Sequence, residues 1–82
     1  MTNSQPTGSL IRWQFERGDR HLACMVNQAP IDYAFEVATV PLWDVTRTAV
    51  ERFDSPGAAF HRHAAIAADL REAGWTLAAY TA

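Results

Sequence analysis

The sequence holds one cysteine, Cys24, in 82 residues, so it cannot form an internal disulfide. Lysine is absent, and all seven cations are arginines. We read this as coding bias and attach no chemistry to it. No run reaches the roughly 18 apolar residues that a membrane-crossing helix requires. The opening Met1-Thr-Asn-Ser-Gln-Pro-Thr-Gly-Ser9 has neither the basic start nor the apolar stretch of a signal peptide. An excess of positive charge is also missing. The net charge of -2 offers no general attraction for nucleic acid. There is no glycine-rich phosphate loop and no nucleophile elbow, so no cofactor and no catalytic motif is expected.

What is present is a globular composition, 49% hydrophobic and 20% charged, in a length that suits one domain. Fifteen of the apolar residues are alanines, which leaves a thin supply of larger side chains for a core. A domain this size buries only about 60–65% of its unfolded surface. Without a disulfide or a metal staple, self-association is a common remedy. A lone cysteine also fits a reducing compartment, and the cytoplasm is the expected location.

Residues 1–8 are polar and contain Pro6 and Gly8, which reads as a flexible tail ahead of a single domain over 9–82. Alternation then begins. Ile11, Trp13 and Phe15 fall on one side, with Arg12, Gln14 and Glu16 on the other, as in a half-buried strand. Arg17-Gly18-Asp19 forms a turn. Beyond it, Leu22, Cys24 and Val26 alternate with His21, Ala23, Met25 and Asn27, completing a hairpin. After Ala29-Pro30-Ile31-Asp32, a third strand sets Tyr33, Phe35 and Val37 against Ala34, Glu36 and Ala38. Residues 45–53 read as a strand from the β-branched Val45, Thr46 and Thr48, although Trp43, Val50 and Phe53 also suit a short helix.

A long helix is expected from Pro56 to Ala73, capped by Ser55 and ended by Gly74, with Trp75 folded back on Leu70. Ala59, His63, Ile66, Leu70 and Ala73 share one face, with Phe60 and Ala67 at its edge. Residues 75–80 form a short last strand or a tail along the sheet. The expected fold class is therefore α+β: a four-stranded antiparallel meander with one long helix across one face, followed by the short final strand or tail.

Few residues suggest chemistry. His61 and His63 lie two apart and project from nearly opposite sides of a helix, the wrong spacing for a shared metal site. His63 sits within the apolar stripe. It reads first as a buried, hydrogen-bonded histidine, and second as the centre of a small-ligand or enzyme site. Cys24 reads as a small buried hydrophobe. The carboxylates are scattered and form no acid–base pair by local spacing. Residues 1–30 have a net charge of +1 and residues 31–82 a net of -3, so no basic stripe emerges.

The sheet face away from the helix is left without cover, and its middle is small and apolar. The favoured reading is a non-catalytic protein–protein interaction domain that forms a homodimer through this face, with Ala23, Met25, Ala34 and Ala38 near the centre. A nucleic-acid module using a sheet face, or a ligand site built on His63, are the alternatives. Salt-dependent retention on nucleic acid, or a concave pocket at His63, would mark them.

Overall fold

A computed structural model describes residues 9–81; the tail expected over 1–8 lies outside them. Strands β1 (Ser9–Arg17) and β2 (Arg20–Gln28) form a hairpin across Gly18-Asp19, where Gly18 adopts φ 63°. Such a tight turn needs the left-handed region, which glycine enters without a Cβ penalty. Strand β3 (Phe35–Pro41) follows, then β4 (Ala49–Phe53), the helix α1 (Pro56–Glu72) and β5 (Thr76–Thr81). Of the two readings of residues 75–80, a short strand or a tail, the strand is the one present.

The sheet order is β4-β3-β2-β1-β5, with every neighbouring pair antiparallel. Four strands form the meander, and the fifth returns to flank the first. The two outer strands, β4 and β5, therefore run in the same direction. A connection from one edge of the sheet to the other must cross a face, and α1 is that crossing.

Local chemistry trims two of the strands. Strand β3 begins at Phe35, not at Tyr33 where the alternation starts. Asp32 Oδ1 accepts from the Ala34 N–H at 3.2 Å, Tyr33 adopts φ 58°, and the Ala29 N–H donates to the Ala34 carbonyl at 2.8 Å. These bonds hold residues 29–34 in a closed turn. Ahead of β4, Val45–Arg47 form a single 3-10 turn. The Asp44 carboxylate accepts from the Thr46 hydroxyl at 2.5 Å and its N–H at 3.3 Å, and the Thr48 hydroxyl donates to the Val45 carbonyl at 2.7 Å. Side chains that bond their own backbone draw a segment out of a ladder despite β-branched residues. Only the second half of 45–53 is strand.

Helix α1 starts and stops as expected. Ser55 Oγ accepts from the Ala58 N–H at 3.2 Å. At the other end the Trp75 N–H donates to the Leu70 carbonyl at 2.9 Å and the Gly74 N–H to the Arg71 carbonyl at 3.1 Å. With Gly74 at φ 95°, this pair of bonds is a Schellman closure. The helix is rotated from the expected stripe, however. Ala59, His63 and Ala67 are its buried residues; Ile66 and Leu70 are half-buried and Ala73 is exposed. Two alanines in line with His63 let the helix axis approach the strands closely, while the bulkier side chains splay to either side. The axis lies over β2, β3 and β4, with little contact to β1 or β5.

The core lies between α1 and the sheet. Phe15, Leu22, Cys24, Val26, Val37, Ala59, Ala67 and Trp75 are buried there, with Ile11, Trp13, Phe35, Phe53, Ile66 and Leu70 packed around them. Register places Trp13, Cys24 and Thr39 in one row, and Ile11, Val26 and Val37 in the next. No helix among the described residues is long and apolar enough to cross a membrane.

Candidate functional site

Three places on the molecule gather side chains of interest. The first is the sheet face turned away from α1. Period-two alternation assigns it the residues out of phase with the core. Arg12, Met25, Ala38 and Val50 form one row across four strands, and Gln14, Ala23 and Val40 form the next. Three of the four expected interface residues, Ala23, Met25 and Ala38, are therefore neighbours. Ala34 is not among them on the sheet, because it belongs to the turn that precedes β3.

Ala23 and Ala38 are buried within the chain by their own neighbours, Met25 and Val40 are half-buried, and Val50 is exposed. The centre of the face is shallow and apolar. Charge flanks it on two sides: Arg12 and Glu16 lie on β1, and across β3 and β4 Arg52 bridges Glu36 at 2.7 Å and also Asp32. The Ala34 N–H, together with the Arg52 guanidinium, holds the Asp32 carboxyl below its ordinary range. His21 lies on the same face, with a buried Nδ1 that has no hydrogen-bond partner.

The second place is His63. Its side chain is 2% exposed, and Nε2–H donates to the Cys24 carbonyl at 3.1 Å. The Trp13 ring meets it edge to face at 5.0 Å. Burial lowers the imidazole pKa, and the Cys24 carbonyl bond offsets this only in part. The neutral ring thus ties the middle of α1 to the middle of β2. Cys24 is buried beside it, and desolvation raises its thiol pKa despite a hydrogen bond with Thr39. His61 is exposed on the far side of the helix. No cavity able to hold a ligand, and no cluster of three or more potential metal ligands, is found among the described residues.

The third place escaped the sequence reading. At the β1–β2 turn end, the Trp43 and Trp75 rings stack 6.0 Å apart with only 12° between their planes. The Arg17 guanidinium lies over Trp75 at 4.7 Å, and that of Arg20 over Trp43 at 4.8 Å. Arg17 also donates to the Ala73 carbonyl at 2.8 Å, satisfying an acceptor at the end of the helix. Four residues from three separate turns meet here, and no local spacing could have announced them. Each ring and each guanidinium is already engaged with another within the chain. We read the group as a clasp that closes this end of the fold.

Trp13 and Phe15 lie on the core side, as their phase predicted, and the open face carries no Phe, Tyr or Trp among the described residues. It therefore offers no large aromatic platform on which bases could stack. A scan against protein-family models finds no match, and neither the curated proteins nor the solved structures include one.

Proposed function

We propose that this protein is a non-catalytic interaction domain that self-associates through its open sheet face. One observation carries the reading. The only α-helix described covers one side of the sheet, and on the other side the row Thr81, Arg12, Met25, Ala38, Val50 is apolar over its last three positions, on β2, β3 and β4. A solvated antiparallel face usually alternates toward polar residues. Small side chains at the centre allow two sheets to approach closely, and Met25 adapts its shape to gaps.

Five strands about 4.8 Å apart give a face of about 20 by 24 Å, so two copies would enclose about 1,000 Å², near the lower bound for a specific interface. Face-to-face pairing about a twofold axis is isologous, so one patch serves both partners. The buried Cys24 thiol suits a reducing compartment, and we place the protein in the cytoplasm on that ground.

Light scattering on the wild type and on Ala38→Arg tests the interface. The substitution sets a charge where burial without a partner is costly. The wild type is expected to be dimeric at this face, and the variant to lose that association while keeping its circular dichroism spectrum. Retention of the same mass by the folded variant refutes the reading.

A further inference from the structure

We propose that β5 is a second docking surface, an edge that pairs antiparallel with β5 of another copy and joins two five-stranded sheets into one of ten strands. It is separate from the open face and stands or falls independently of it.

As an outer strand of the sheet, β5 has one row of backbone N–H and C=O groups with no partner strand among the described residues. Proteins commonly guard such an edge with charge or proline. The opposite edge does so: Glu51 and Arg52 of β4 are charged, and both sit in ion pairs. Strand β5 reads Thr76-Leu77-Ala78-Ala79-Tyr80-Thr81, with neither. Its side chains are unguarded too. Leu77 is 41% exposed and Tyr80 is 70% exposed. Both lie on the helix side, in register with Phe15 and Trp13, but α1 sits over β2 to β4 and leaves them bare.

The identity of the occupant follows from symmetry. The strand is chemically palindromic about the midpoint between Ala78 and Ala79. Paired with its own copy about that point, it sets threonine opposite threonine, leucine opposite tyrosine and alanine opposite alanine. In a regular strand this register fails, because Leu77 and Tyr80, three residues apart, would point to opposite faces. Here the ladder with β1 slips by one residue: Gln14 pairs with Ala79 and Phe15 with Leu77, which leaves Ala78 extra. The slip puts Leu77 and Tyr80 on the helix side, and Thr76, Ala79 and Thr81 on the open side. The faces then match across a twofold axis perpendicular to the sheet.

A bulge ordinarily discourages strand addition by re-aiming the edge. A foreign, regular strand would meet that obstacle. A second copy brings the same offset at the same point, so the two irregularities oppose each other at the axis. Leu77 of each copy then covers Tyr80 of the other, and the absence of charge removes any like-charge opposition.

Sedimentation of the full chain, over concentrations up to the millimolar range, tests the pairing. Leu77→Lys with Tyr80→Lys opposes like charges twice in this register. Leu77→Glu with Tyr80→Lys opposes unlike charges at the same two places. We expect the first pair to weaken association about 100-fold and the second to recover it to within about tenfold of wild type. Both positions are exposed, and circular dichroism checks that both variants fold. The open-face variant Ala38→Arg should still associate through β5. A wild type that stays monomeric overturns the inference, as does an unchanged mass in the double-lysine variant. Equal weakening by both double variants overturns it as well, because the register would then be wrong.

Discussion

His63 stands where α1 meets β2, and its removal would be felt twice. His63→Ala deletes a buried ring and leaves a space against Trp13, and it also strips the Cys24 carbonyl of a donor. Large-to-small core changes of this kind cost about 2–4 kcal/mol, a large part of the stability of a small domain. Urea unfolding is expected to show that loss in its midpoint. The native ring should also couple stability to pH. Its folded pKa lies below its unfolded one because burial disfavours the cation. The unfolded chain therefore binds the proton more readily, and the stabilisation is full above the unfolded pKa. It is lost as pH falls from the unfolded pKa toward the folded one, with a slope no steeper than about 1.4 kcal/mol per pH unit. Urea midpoints across that window should fall on acidification in the wild type, and less so in a His63→Gln variant. Identical slopes would remove His63 from the explanation. The burial of this residue was legible in advance from the helical wheel, which opposed it to His61. Its hydrogen-bond acceptor was not, because that carbonyl lies 39 residues away.

At the scale of elements, the helix ends make contrasting demands on two glycines. Gly57 lies within the first turn of α1 with open space around its missing Cβ, whereas Gly74 holds φ 95° in the closure that ends it. Gly57→Ala should raise stability by up to about 1 kcal/mol. Gly74→Ala should lower it by about 1–2 kcal/mol, the penalty of a left-handed L-residue. Thermal melts of the two variants should therefore move in opposite directions; a neutral Gly74→Ala would contradict the closure. Both helix ends could be read from Ser55-Pro56 and Gly74-Trp75 because capping is local chemistry. The hairpin could be read for the same reason. The strand starts near Tyr33 and Val45 could not, since alternation and β-branching were outweighed by Asp32 and Asp44 bonding to nearby backbone. The rotation of α1 escaped as well. A wheel weights side chains by hydrophobicity, whereas close approach to the sheet favoured the small Ala67 over Ile66.

At the scale of the whole molecule, the described residues leave a sheet face and the β5 edge uncovered, and the two lie at right angles. Pairing at β5 would leave the open faces of two copies on one continuous sheet. Pairing at the face would then stack two such sheets, and with the two twofold axes meeting at right angles the contacts would close into a tetramer. The substitutions at Ala38 and at Leu77 with Tyr80 should each reduce such an assembly to a dimer of a different shape. Low-angle scattering would distinguish a compact pair from an extended one. Sequence alternation marked the open face, because the phase of each strand can be read locally. It could not mark the edge. Which strand lies outermost depends on where the chain returns after α1, and the one-residue slip beside β1 appears only in the pairing.

The place of β1 between β2 and β5 also has a bearing on synthesis. A chain emerging at about 5–20 residues per second would complete the meander a few seconds before residues 76–81 arrive. During that interval the outer edge of β1 is unpaired, and the row Ile11, Trp13, Phe15 awaits both the helix and the strand that flank it in the finished fold. The nascent chain thus passes through a stage whose bare surface lies at β1, and β5, the last of the described strands to emerge, is the one that closes it.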